Sequence, residues 1–141
     1  MKKILVAEDD KKILQALTIR LQNAGYSVIG VPDGFRSYMY SMVERPDLIL
    51  TDIFMPVGTG LQVAAELEEA GLGDIPLIFM TASKEPSLRE AAEKMGAGFI
   101  EKPFDPEALL AAIAEALEPQ IKKEPLRQSL RMELLREPNT P

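Results

Sequence analysis

The sequence predicts an α/β fold, a parallel sheet wound with helices on both faces. Three observations carry this. Five short apolar runs alternate strictly with five segments whose apolar residues recur at helical spacing, the order of repeated βα units. Turn and cap residues punctuate nearly every junction between them. The length of 141 residues suits one domain, with room for a short appendage.

Lys3–Ala7 is the first apolar run and reads as strand one. Asp10 can cap the helix that follows, on which Ile13, Leu17, Leu21 and Ala24 form one face, and Gly25 stops it. Tyr26–Val31 reads as strand two, and Pro32-Asp33-Gly34 as a turn. On the second helix Phe35, Met39, Met42 and Val43 describe the apolar face, with Tyr40 off it as a possible interaction contact, and the helix ends before Pro46.

Leu48–Thr51, followed by Asp52, has the continuous apolar character of a strand buried on both faces. A loop containing Gly58 and Gly60 leads to a third helix carrying Val63, Leu67 and Ala70, which ends at Gly71. Ile75–Met80 is strand four, with Pro76 tolerable at its start. Pro86 suits the first turn of a helix running to Gly96, and Ala97–Glu101 is strand five. Asp105-Pro106-Glu107 opens a fifth helix, with Leu109, Leu110, Ile113 and Leu117 on its apolar face.

Residues 119–141 differ in character. They hold five bases and three acids, a balance of +2, so the rest of the chain carries −8 of the total −6. Leu126, Leu130 and Leu134 recur every four residues between Pro125 and Pro138. The segment reads as a tail or linker, partly helical, of about three turns that would be marginal alone in water. The domain proper is expected over residues 1–118.

Composition removes several chemistries. Without cysteine or histidine the chain has no disulfide, no thiolate nucleophile, no Ser-His-Asp or Cys-His catalysis, and no ordinary zinc site. The net charge argues against direct nucleic-acid binding by the body. No apolar run approaches the ~20 residues of a membrane crossing, and Ile4–Ala7 is too short for a signal peptide, so the cytoplasm is the expected compartment.

Parallel strands deliver their carboxyl ends to one edge, where open α/β sheets place ligand sites. That edge would collect Glu8, Asp9 and Asp10 from strand one, Asp52 from strand three, Thr81 and Ser83 from strand four, and Lys102 from strand five. Alone, Asp52 would read as the start of a turn. Converging carboxylates repel one another, and a divalent cation relieves the repulsion; oxygen donors without His or Cys select Mg²⁺ or Mn²⁺. A lysine and a hydroxyl beside them suit a phosphoryl group, which makes Asp52 a candidate carboxylate nucleophile.

With these residues in place, the chain resembles a response-regulator receiver domain of two-component signalling over residues 1–118. Glu8-Asp9 is similar to the family's acidic pair, Asp52-Ile53-Phe54-Met55-Pro56 to its phosphoacceptor loop, Met80-Thr81-Ala82 to its switch hydroxyl, Lys102-Pro103-Phe104 to its lysine loop, and Phe99 to its switch aromatic. The resemblance implies a flavodoxin-like (βα)5 fold with strand order 2-1-3-4-5. It further implies that Asp52 accepts a phosphoryl group from a sensor histidine kinase or phosphotransfer protein. Asp9, Asp52 and the Phe54 carbonyl would hold Mg²⁺ directly and Glu8 through water, while Thr81 and Lys102 grip the phosphoryl oxygens across a cis Lys102–Pro103 bond. Asp10, one place beyond the pair, stays a helix cap.

Phosphorylation would then draw Thr81 inward, let Phe99 follow, and change the surface of helix four, strand five and helix five that meets a downstream protein, with homodimer formation as one possible consequence. On this reading the chain is a phosphoacceptor and not an enzyme, apart from limited self-phosphorylation from small donors and self-dephosphorylation. Phe54, large and apolar where many members are polar, is expected to obstruct the hydrolytic water. Two alternatives remain. One is the receiver portion of a longer regulator, the other a phosphatase-type enzyme on a related fold, although Phe54 stands where that enzyme wants a second acid.

Overall fold

The structure is a computed structural model that describes residues 1–118, so the predicted tail helix around Leu126, Leu130 and Leu134 lies outside the described residues. The chain order is β1 (Lys3–Ala7), α1 (Lys11–Asn23), β2 (Ser27–Val31), α2 (Gly34–Glu44), β3 (Leu48–Asp52), α3 (Gly60–Glu69), β4 (Leu77–Thr81), α4 (Pro86–Lys94), β5 (Gly98–Glu101) and α5 (Pro106–Leu117). The five strands are parallel in the order β2-β1-β3-β4-β5, as expected.

Alternation along the strands builds two apolar layers. Ile4, Val6, Leu48, Leu50, Ile78 and Met80 face α1 and α5 through Leu17, Leu21, Leu109 and Ile113. On the other face, Leu5, Ala7 and Ile49 meet Val63 and Leu67 of α3, and Phe79 meets Ala92 of α4. Side-chain caps start most helices: Asp10 accepts from the backbone of Lys12 and Ile13, and Thr59 and Gln62 form a reciprocal capping box on α3.

One expected face is reversed. The second helix buries Gly34, Ser37 and Ser41, while Phe35, Met39, Met42 and Val43 stand exposed together with Tyr40. The cause is close approach. A Cβ on Gly34 would lie 2.3 Å from the Gly58 carbonyl oxygen, so the inner face of α2 must be small. Strand three also runs one residue further than expected, which makes Asp52 its last member.

Candidate functional site

Four of the five strand ends, those of β1, β3, β4 and β5, supply the predicted site. Asp52 ends β3 with its backbone opposite Met80, and Thr81 follows as the last residue of β4, opposite Glu101. Lys102 continues from β5, its backbone N–H donating to the Thr81 carbonyl at 2.8 Å. The Lys102–Pro103 bond is cis. Next to Asp52 the chain turns tightly: Ile53 donates to the Met80 carbonyl, and a Cβ on Gly60 would meet the Asp52 carbonyl oxygen at 2.5 Å. Gly60 is therefore a site-shaping residue, which the sequence marked only as a loop glycine.

Glu8 is 1 % exposed, Asp52 7 %, and Asp9 stands open to solvent. Carboxylate oxygens of all three lie within 4.8 Å of one another. The Lys102 ammonium donates to Asp52 Oδ2 at 2.8 Å and makes a short contact with Glu8 Oε1. Burial pushes the Glu8 carboxyl above its ordinary value, although Lys102 and the Asp10 N–H partly oppose this. Burial pulls Lys102 down, but its hydrogen bonds to Asp52 and Glu8 outweigh that and leave its pKa raised. The lysine thus does, with one charge, part of what a divalent cation would do for these acids.

The donor set fits a hard cation: three carboxylates in reach of one point, one facing solvent, in a chain without histidine or cysteine. Thr81 is buried, and its Oγ accepts from the Ser83 N–H at 3.1 Å, which leaves the hydroxyl proton to donate elsewhere. Asp10 is engaged as the α1 cap and lies outside the cluster.

Phe99 is half-buried on β5, and the Arg89 guanidinium of α4 sits 4.6 Å above its ring. Arg89 also reaches Glu101 at 3.5 Å, and Lys84 reaches it at 3.8 Å. No sequence pattern signals this arrangement, because Arg89 and Glu101 are twelve residues apart and meet only where α4 packs beside β5. Phe54 is exposed beside the site, and the loop beyond it turns through Val57, a β-branched residue at φ 54°, and Gly58.

Among the described residues no helix is long and apolar enough to cross a membrane. A family model described as the response regulator receiver domain matches residues 4–114. An uncharacterized transcriptional regulatory protein, YbdJ, of Bacillus subtilis is 35% identical over 116 residues, covering 82% of this chain and 51% of that one. The transcriptional regulatory protein DltR of Streptococcus agalactiae is 38% identical over 112 residues, covering 79% and 50%. The chain thus spans about half the length of the curated relatives it matches. Among solved structures, the chemotaxis protein CheY4 of Vibrio cholerae superposes with a TM-score of 0.76 at 32% identity, over 83% of this chain and 99% of that one. By sequence over most of its length and by strand order, this chain belongs to the response regulator receiver domains of two-component systems, a family of signalling domains.

Proposed function

We propose that Asp52 is the phosphoacceptor of a cytoplasmic signalling protein, taking a phosphoryl group from the phosphohistidine of a partner kinase or phosphotransfer protein. The observation that carries this is the convergence of Glu8, Asp9, Asp52 and Lys102, with Thr81 at the same edge, from four strand ends of the sheet. An Asp52 carboxylate oxygen attacks phosphorus, the P–N bond to the donor imidazole breaks, and the imidazole nitrogen keeps the electron pair. Lys102, already at 2.8 Å from Asp52, follows the charge to a phosphoryl oxygen, and the Thr81 hydroxyl donates to another.

Asp9, Asp52 and the Phe54 carbonyl would hold Mg²⁺ or Mn²⁺, with Glu8 through water. When bound, the ion neutralises charge on the transferring group.

The same event supplies the switch. Phosphorylation adds roughly −1.5 to −2 charges and three acceptor oxygens. As Thr81 turns toward them, Phe99 moves into the vacated space, and the surface of α4, β5 and α5 changes for a downstream protein. A tenfold population shift needs ~1.4 kcal/mol, within reach of one charge-assisted hydrogen bond.

A second reading concerns extent. Because the chain spans about half of its matched relatives, which are named as transcriptional regulators, it also fits the receiver portion of a longer regulator. The central test is incubation with acetyl phosphate and Mg²⁺ followed by mass measurement. Wild type should gain one phosphoryl group and Asp52→Ala none. An equal adduct on both proteins, or none on either, sinks the assignment.

A further inference from the structure

The loop after Asp52 is held by backbone hydrogen bonds at Ile53, Pro56 and Gly60. Ile53 N–H donates to the Met80 carbonyl at 3.0 Å, and Gly60 N–H donates to the Ile53 carbonyl at 2.8 Å. The Pro56 carbonyl accepts from Gly34 N–H at 3.1 Å. Gly34 is the first residue of α2, where a helix leaves its N–H without a partner of its own, and here that donor goes to the loop. Phe54 and Met55 therefore lie between a point fixed on the sheet and a point fixed on a helix. Met55 packs toward Leu5, Ala7 and Ile49, whereas the Phe54 ring is exposed. The placement of the Phe54 peptide thus depends on what holds the chain on either side of it.

The approach is closer than one hydrogen bond requires. A Cβ on Gly34 would stand 2.3 Å from the Gly58 carbonyl oxygen and 2.6 Å from that of Val57. Loop and helix start meet backbone to backbone, with no side chain between them to absorb a shift. Val57 shows the constraint. Its φ of 54° is strained for a β-branched residue, yet its side chain is 70 % exposed and gains no burial in return. Such a conformation persists only where its surroundings impose it, and the backbone that presses on the Val57 carbonyl is Gly34.

We infer that Gly34 is a positioning residue for the candidate site: the start of α2 is a strut against residues 56–58 that sets the Phe54 carbonyl beside Asp52. The role rests on the reading in which that carbonyl is a cation ligand. Groups that orient a metal's ligands without touching the ion carry about ten- to a hundredfold of its affinity. An alanine at Gly34 has to drive carbonyl backbone from 2.3 Å to ordinary contact near 3.4 Å, a displacement of about 1 Å. Because Ile53 stays fixed on the sheet, the chain between Ile53 and Pro56 takes up that displacement, and Phe54 lies in it.

Titration calorimetry of the full chain with Mg²⁺ tests this. Gly34→Ala should bind the ion about tenfold more weakly than wild type. Ser41→Val crowds the same buried face of α2 about two turns further on, so it should lower stability and leave Mg²⁺ affinity as in wild type. In wild type the coupling also runs the other way. Saturating Mg²⁺ should slow hydrogen exchange of the Gly34 amide severalfold more than that of the Ser37 amide, which bonds within the same turn to the Asp33 carbonyl. That measurement needs no variant and stands even where Gly34→Ala does not fold. Unchanged affinity in Gly34→Ala, an equal loss in Ser41→Val, or equal slowing of the two amides overturns the strut while leaving the cation site intact. A wild type that binds no Mg²⁺ overturns both.

Discussion

Glu8 shows how much one side chain can impose on a site. It is buried, ionisable, and within reach of Asp52, and among the described residues only the single charge of Lys102 neutralises the pair. With its folded pKa raised, Glu8 holds a proton at a pH where an ordinary glutamate, near 4.5, has lost it. In metal-free protein its ionisation therefore costs stability as pH rises through the raised value, and the cost disappears as pH falls toward 4.5. A cation and a proton compete for the same charge, so Mg²⁺ affinity should begin to fall, as pH is lowered, while still above pH 4.5. Titration calorimetry across that range checks it, and Glu8→Gln should flatten this part of the profile. Phe54 poses a separate question at the same scale. Its exposed ring stands two residues past Asp52, and we propose that it hinders the water that hydrolyses the acyl phosphate. Phe54→Asn should lose its phosphoryl group severalfold faster in a dephosphorylation time course, and an unchanged or slower rate removes the idea.

At the scale of elements, α4 and β5 hold Phe99 from outside. The Arg89 guanidinium covers its ring at 4.6 Å and ties to Glu101, so any inward movement of the ring gives up that contact. A cation–π contact at an exposed site contributes about 0.5–1 kcal/mol, a factor of roughly two to five in the population of the inward state. Arg89→Ala should therefore tighten beryllium fluoride binding by about that factor; weaker or unchanged binding would mean that Arg89 does not restrain the switch. Elements also differ in how legible they were. The periodicity of Leu17 and Leu21 on α1, Val63 and Leu67 on α3, and Leu109 and Ile113 on α5 named the buried faces correctly, because ordinary apolar packing holds those helices to the sheet. On α2 the same rule pointed outward. There, backbone approach at Gly34 demands small residues inside, and a period of 3.6 says nothing about which face lies inward. Replacing Gly34 by Ala should destabilise the fold by about 1–3 kcal/mol in chemical denaturation, since the added Cβ has only carbonyl backbone to displace.

On the scale of the whole molecule, the parallel sheet is what made the candidate site readable. Glu8, Asp52, Thr81 and Lys102 are far apart in sequence, yet each follows an apolar run, and parallel strands bring such positions to one edge. The Arg89–Phe99–Glu101 cluster was not readable, because it depends on side chains crossing from a helix to a strand. The same edge concentrates like charge in a chain already at −6. Carboxylates held close by the fold strain it unless a counter-charge is present, so the geometry that prepares the site also weakens the metal-free protein. Ligand binding restores what that repulsion takes away. At one hundred times its dissociation constant, a bound ion stabilises by about 2.7 kcal/mol. For a domain of this size, that amounts to a rise of roughly 8–16 °C in Tm. Asp9 is the discriminating residue, because it is exposed and its loss leaves no buried group unpaired. In thermal melts at pH 7.5, wild type should show the rise with Mg²⁺. Asp9→Ala should melt at least as high as wild type without the ion and gain little when it is added. An equal gain in both proteins would place the ion elsewhere, and no gain in either would mean that Lys102 alone satisfies these acids.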